Sequence, residues 1–435
     1  MPQRIVIIGA GFAGMWSALA ARRLITLSDT DPVTKMVDIE VIVISPEERL
    51  VLRPRLYEAN PEMMTAPLGE LFRVTGVQFI KGAVDLISTK RREVELVNHA
   101  GVRFTQPYDK LVLAAGSRLV RPDIPGLDTF AFSVDQLDDA VQLDSHFHSL
   151  ASQPGDVARN TVVVCGGGFT GIEVATDLAE RVPCLLGDNN ARVILVDSGS
   201  AVGCSLGPGP RPVIAKALKD SGIEVKLGTS IASIDACGVI TSTGERIETR
   251  TAIWTAGMAA TPLTSQIEGE KDRFGRLHVK ADLRAPSACD VFVAGDAACA
   301  VTDDKGHSTM MSCQHAMYLG RTAGNNAAAD LLHLPTSPYS QAAYGTCLDL
   351  GARGAVLTDG WDRKVILSGS LGKAVKQYIN TILIYPPIAE REKALAAAQP
   401  KTQDPPMTLA DAAHLLRLLL TRLWHRYFAT GARKD

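Results

Sequence analysis

The residues best suited to chemistry in this chain of 435 residues are two glycine-rich turns. They read Gly9-Ala10-Gly11-Phe12-Ala13-Gly14 and Gly166-Gly167-Gly168-Phe169-Thr170-Gly171. Each follows a β-branched run, Ile5-Val6-Ile7-Ile8 or Val162-Val163-Val164, and each opens a helical pattern. Glycine lets the chain turn tightly, lets backbone approach a pyrophosphate, and lets helix pack close on strand. The helix N-terminus then offers free N–H groups and a positive dipole end to that anion. One such turn is weak evidence. Two, each between strand and helix, imply two dinucleotides on one chain and hence redox chemistry.

A turn of this kind is expected to work with a carboxylate at the end of the next strand, which binds the adenosine ribose. In the second unit that residue is Asp197, which accepts bonds from a ribose 2′-OH and repels a 2′-phosphate. Ser198-Gly199-Ser200 follow and supply no arginine to receive such a phosphate, so NADH is expected over NADPH. In the first unit the position is Ser45, a departure that leaves one hydrogen bond in place of a bidentate grip; Glu47 or Glu48 is the substitute to look for. Glu173 falls in the expected first helical turn, where the dipole favours negative charge. Capping alone would also explain it.

Several elements must hold these residues. A strand over residues 4–8 leads into a helix over 12–24, and a polar stretch, 28–38, precedes a strand over 39–44. Residues 53–57 read as loop running into short helix. A buried strand then ends in the small residues Ala114-Ala115-Gly116-Ser117, and Pro122, Pro125 and Gly126 mark a crossing between units. The second unit brings a helix near 135–150, its glycine turn and helix, strands over 191–196 and 223–227, and a meander through Trp254. The chain then returns to the first unit with an apolar strand ending in Gly295-Asp296 and a helix over 313–332. The fold class is therefore α/β, with two Rossmann-like dinucleotide-binding domains. The second, 129–262, is inserted in the first, 1–128 and 263–335. A small C-terminal α+β unit (336–385), a linker rich in proline and alanine (386–408) and an amphipathic tail helix (409–435) complete the chain.

Composition narrows the partners. Apolar residues make up 46% and charged residues 21%, values of a globular protein. A formal net charge of −2 gives no field that favours nucleic acid, and no nucleic-acid-binding motif is present. Met1-Pro2-Gln3-Arg4 run straight into the first strand, leaving no room for a signal peptide. No apolar stretch reaches the roughly 18 to 20 residues that span a bilayer, so a cytoplasmic location is expected. The cysteines, at 165, 184, 204, 237, 289, 299, 313 and 347, form no C-x-x-C pair, which excludes a dithiol site within one local segment. His146 and His148 lie two apart in an expected helix and do not share a face; no metal is expected.

Taken together, these segments resemble the flavin-dependent pyridine-nucleotide reductases with two dinucleotide-binding domains, and most closely the type II, non-proton-pumping NADH:quinone oxidoreductases. The resemblance covers about residues 4 to 385. Gly166-Gly167-Gly168-Phe169-Thr170-Gly171-Ile172-Glu173 reads like that family's NADH turn, and Ala252-Ile253-Trp254-Thr255-Ala256-Gly257 like its A-x-W-x-A-G segment. Gly295-Asp296 resembles its final flavin motif, and Gln314 falls where the family carries an Ala-Gln pair beside the flavin ring. Lys376, shortly before Asn380-Thr381, matches a family lysine near the quinone end of the flavin. The resemblance implies FAD on the first turn and NADH on the second. It further implies that Asp296 accepts a bond from the ribityl chain at a helix N-terminus, and that Glu173 stands at the nicotinamide–flavin junction. Hydride would pass from NADH to the flavin, and two electrons would go on to a quinone near Gln314 and Lys376. A solvated surface lysine is the alternative for Lys376, since its match rests on spacing.

The tail adds a second kind of signal. Leu409, Ala412, Ala413, Leu416, Leu420, Leu423 and Tyr427 recur at helical spacing, with Arg417, Arg422, His425 and Arg426 largely off that face. A basic amphipathic helix with Trp424 near its end suits peripheral contact with the inner face of the cell membrane. The same pattern suits packing on the enzyme's own core or in a homodimer. Within this fold, the alternative to a quinone reductase is an NADH-dependent reductase serving a carrier protein or biosynthetic metabolite. A sulfide:quinone oxidoreductase would use separated cysteines such as Cys165 and Cys347, but the Gly166 turn with Glu173 and Asp197 argues against an enzyme that does not use NADH.

Overall fold

The computed structural model describes residues 2–28 and 38–400. The β-branched runs form the strands expected of them. β1 (Gln3–Ile8), β2 (Ile39–Ser45), β3 (Gln78–Lys81) and β4 (Lys110–Leu113) pair in parallel, with α1 (Phe12–Ser28) springing from the first glycine turn. The second unit repeats the plan with β5 (Ala131–Phe132), β6 (Thr161–Cys165), β7 (Arg192–Val196), β8 (Glu224–Lys226) and β9 (Thr251–Trp254). Its helices α2 (Leu137–Ala151) and α3 (Phe169–Leu186) pack together. The chain then returns: β10 (Val291–Val293) pairs in parallel with β4. The first sheet has the order β10-β4-β1-β2-β3 and the second β5-β9-β6-β7-β8. A strand from beyond the second sheet thus completes the first, as insertion of one nucleotide-binding unit in another requires.

Parallel strands buried on both faces need near-continuous apolar sequence. Ile5, Val6, Ile7, Val41, Val43, Leu111 and Val112 in the first sheet, and Val162, Val163 and Val164 in the second, are fully buried. α1 lies against α4 (Cys313–Leu331), and two glycines bring their backbones together. A Cβ on Gly320 would fall 2.3 Å from the Ala13 carbonyl oxygen, and one on Gly324 would fall 1.9 Å from that of Ser17. Ser17 Oγ donates across this seam to the Gly320 carbonyl at 3.0 Å.

Beyond α4, three antiparallel strands, β11 (Gly345–Asp349), β12 (Ala355–Asp359) and β13 (Lys364–Ser368), precede α5 (Gly369–Tyr378). One expectation needs correcting here. The stretch read as a linker from residue 386 contains α6 (Arg391–Ala397), which packs on α1, with Ala394, Leu395 and Ala398 buried. Arg321 Nε donates to the Ala397 carbonyl at 3.2 Å, and Arg391 Nη1 to that of Val74 at 3.3 Å. Its described part is therefore docked helix rather than free connector. A three-stranded antiparallel excursion over residues 83–107 adds elements that no sequence pattern marks. The tail expected over 409–435 lies outside the described residues.

Candidate active site

Both glycine turns meet the elements around a single cavity of about 1580 Å³. In the first turn, Gly9 has φ +105, and a Cβ there would fall 2.5 Å from the Ala114 carbonyl oxygen. A Cβ on Gly14 would overlap the Gly9 carbonyl, so this glycine serves helix–strand packing rather than contact with the cavity. Gly11 behaves differently: a Cβ there would meet no protein atom within 4 Å. The second turn repeats the pattern. Gly166 has φ +120, Gly171 packs on the Gly166 carbonyl, and Gly168 opens on free space. As the N-cap of α3, Gly168 provides no side-chain cap. Each turn thus leaves room on one side for a group that approaches backbone N–H donors.

The wall of the cavity is built from Gly9, Gly11, Phe12, Ala13, Ser45, Ala115, Gly116, Gly295 and Asp296, and from Phe169, Thr170, Glu173, Gln314 and Lys376. Gly14, Gly166, Gly168, Gly171, Asp197, Ala256 and Gly257 are not part of that lining. At the end of β9, Trp254 and the following Thr255 line the cavity instead. Of the two carboxylates considered beside Ser45, Glu47 lines the cavity, where Lys81 (3.3 Å) and Arg49 (3.5 Å) pair with it. Glu48 turns toward Gly69.

Asp296 sits in a three-residue 3₁₀ turn, Gly295–Ala297, and not at the N-terminus of a long helix; α4 begins only at Cys313. Its carboxylate accepts a hydrogen bond from Ser117 Oγ at 2.6 Å and lies 3.9 Å from Arg53 Nη1. Arg53 also pairs with the Asp135 carboxylate and donates from Nη1 to Ser117 Oγ at 3.2 Å. Asp135 in turn accepts from the Leu119 N–H at 3.0 Å. Arg53, Ser117 and Asp135 belong to no motif, and sequence reading missed them.

Asp197 is already in use within the protein. Its carboxylate accepts the N–H of Gly167 on one oxygen and that of Gly199, at 2.6 Å, on the other. It therefore fixes the second glycine turn, and any ribose contact would be additional to that role.

A buried ion pair joins two residues far apart in the sequence. Lys376 Nζ lies 2.8 Å from Glu173 Oε1, with the two side chains 5% and 4% exposed. A solvated surface lysine is thereby ruled out. Glu173 also departs from its expected position: it is the fifth residue of α3, in the second turn. Burial is the largest influence on its carboxyl and raises it to about 7 against the pull of Lys376, so dipole stabilisation does not govern it. For Lys376 burial acts downward, but the neighbouring Glu173 carboxylate prevails and the ammonium is held above its usual range. Its Nζ also stands 5.6 Å from the centre of the Phe169 ring.

Asp349, at the end of β11, ties this pair to its surroundings. Its backbone N–H donates to Glu173 Oε1 at 3.0 Å. Its carboxylate accepts from Tyr57 Oη at 3.1 Å and pairs with Lys373 of α5. The Tyr57 phenol is pushed well above its usual range by burial, then by the carboxylates of Glu173 and Asp349. Residues from all three units converge on this one spot.

Gln314 Oε1 is buried at the cavity without a hydrogen-bond partner, an acceptor available to a donor on a bound group. Together with the open glycines, it fits a flavin dinucleotide. All eight cysteines are free. Burial pushes the thiols of Cys165 and Cys347 up to about 12, far from the thiolate that sulfur chemistry needs.

Comparison with known proteins agrees with this geometry. The chain is 43% identical over 408 residues to an NADH dehydrogenase-like protein of Mycobacterium tuberculosis, covering 93% of this chain and 100% of that one. It is 27% identical to the demethylphylloquinone reductase NdbB of Synechocystis, over 82% of this chain and 86% of that one. Among solved structures, NDH2 of Plasmodium falciparum in complex with NADH shares the fold, with a TM-score of 0.74, 14% identity, and coverage of 98% and 99%. The sequence profile of the pyridine nucleotide-disulphide oxidoreductases matches residues 3–320, and the chain belongs to that family.

Proposed function

We propose that the protein is an FAD-dependent NADH dehydrogenase that delivers two electrons to a quinone. Bound FAD would supply the hydride-accepting and two-electron-carrying chemistry between NADH and the acceptor. In this reading Gly9, Gly11, Phe12, Ala13 and Gly14 form the FAD turn, with Ser45, Ala115, Gly116, Gly295 and Asp296 along its length. Gly166, Gly168, Phe169, Thr170 and Gly171 form the NADH turn, backed by Asp197, Ala256 and Gly257. The chain's task in the first half-reaction is to align two planar groups, so proximity and orientation supply most of the rate.

The observation that carries the quinone assignment is the buried Glu173–Lys376 pair in the cavity wall. A quinone takes up two protons with its two electrons. Burial lets Glu173 keep a proton up to about pH 7, and the Lys376 ammonium stabilises negative charge developing on an acceptor oxygen. Gln314 orients the bound rings from the same wall. Leu383 lines the cavity and is half exposed, next to the partly buried Ile379 and the buried Ile384, which gives the cavity an apolar margin suited to a quinone. The names of the mycobacterial and Synechocystis relatives support the same donor and class of acceptor. The tail over 409–435 would hold the enzyme peripherally at the inner face of the membrane, where quinones reside.

The test separates the half-reactions by stopped flow. The flavin-loaded protein should be yellow, bleach on mixing with NADH, and recover its colour with a soluble quinone such as menadione. Bleaching by NADH without recovery by any quinone would remove the quinone from the assignment and leave an NADH-dependent reductase of another acceptor.

A further inference from the structure

A second buried cation in this cavity has no counter-charge. Arg363 lies in the turn between β12 and β13, is only 7% exposed, and lines the cavity with Ser205, Leu206 and Tyr344. Its guanidinium stands 4.5 Å from the centre of the Tyr344 ring. Its Nη1 is buried with no hydrogen-bond partner. Among the described residues no carboxylate forms an ion pair with it, and Asp359 and Asp362 of the same turn are exposed. The backbone is committed as well. Arg363 has φ +56, a conformation that a bulky residue holds only when its surroundings enforce it.

The nucleotide-binding unit packs closely on this turn. A Cβ on Gly209 would fall 2.3 Å from the Arg363 carbonyl oxygen, and one on Gly207 would fall 3.0 Å from its Cγ. The loop carrying these glycines is tied to the second glycine turn by a hydrogen bond from Gly203 N–H to the Gly167 carbonyl at 2.9 Å. Beside Tyr344, His315 stacks at 4.8 Å; burial lowers it to about 4, so it brings no competing positive charge at neutral pH.

A desolvated guanidinium with a vacant donor is costly to fold around unless an anion arrives with a ligand. The anion that a dinucleotide brings is its diphosphate, and the planar arginine fork matches phosphate oxygens. We propose that Arg363, reaching across from the C-terminal unit, binds the diphosphate of the pyridine nucleotide. The proposal rests on the reading of the second turn as the NADH site.

Calorimetric titration of the flavin-loaded protein tests it. NAD⁺ and ADP-ribose should bind Arg363→Gln roughly 10- to 100-fold more weakly than the parent, the range for losing a hydrogen-bonded charge pair. Arg363→Lys should fall between them. Inorganic pyrophosphate should compete with NAD⁺ on the parent and lose that effect in Arg363→Gln, while FAD content and the KM for menadione stay unchanged. Equal nucleotide affinity in parent and variant overturns the proposal, as does a change confined to the quinone KM. Failure of pyrophosphate to compete on the parent overturns it without recourse to any variant. A parent that binds neither NAD⁺ nor ADP-ribose refutes the NADH reading itself, and this proposal with it.

Discussion

Glu173 and Lys376 illustrate how a buried pair differs from a surface one. Each is tolerated because the other is present, so removing one strands a charge in a desolvated wall. Single Glu173→Ala or Lys376→Ala replacement is expected to cost about 3–5 kcal/mol of stability, while Glu173→Gln with Lys376→Met together costs far less. Urea unfolding of the flavin-loaded protein measures both; equal losses for single and double variants would contradict the pairing. The pH dependence has a definite sign. Because the native carboxyl rises from an ordinary 4.5 to about 7, the folded protein keeps a proton that the unfolded chain releases over that window. This group's contribution to stability therefore falls as pH increases from about 4.5 to 7 and levels off above. Sequence singled out both residues but by different routes, a motif match for one and spacing for the other. Neither route contains burial, which is a property of the assembled wall. Tyr57, Asp349 and Lys373 carried no motif signal, because their connection exists only once three units meet.

At the scale of elements, the seam between α1 and α4 decides whether the first turn is placed correctly. Gly324→Ala sets two effects against each other. Helix propensity favours alanine by about 1 kcal/mol. Against this stands a Cβ 1.9 Å from the Ser17 carbonyl, and overpacking of this kind typically costs about 1–3 kcal/mol or more. The clash involves rigid backbone and should win. Thermal unfolding should show a lower Tm, with weaker retention of FAD because α1 carries the turn at its N-terminus. An unchanged or raised Tm would mean that the helices separate without penalty. These helices and the parallel strands were readable in sequence, since β-branched runs beside glycine turns leave few alternatives. The excursion over 83–107 was not, because its strands alternate weakly and Ala83, Asp85 and Leu86 are exposed. Nor was α6, a seven-residue helix whose buried face amounts to Ala394 and Leu395.

The whole molecule raises the question of where the acceptor comes from. Among the described residues no helix is long and apolar enough to cross a membrane, yet a quinone with an isoprenoid chain partitions into lipid. A peripheral attachment would reconcile the two, and the basic amphipathic pattern over 409–435 is the segment whose chemistry suits it. Arg417, Arg422, Arg426, Arg433 and Lys434 would meet anionic headgroups while the leucine stripe enters the acyl boundary. Such binding must weaken with salt, since headgroup attraction is screened within about 10 Å at 0.1 M ionic strength. The full chain should therefore co-sediment with vesicles containing phosphatidylglycerol and dissociate in part at high salt. A chain ending at residue 400 should stay in the supernatant while retaining turnover with menadione, because every residue assigned to the cavity precedes that point. Should both forms ignore the vesicles and the full chain alone dimerise, the stripe covers a second copy of the protein. If the truncated form sediments equally well, attachment resides in the folded body, where Leu383 at the cavity and the nearby Ile388 are among the exposed apolar side chains and come first for substitution.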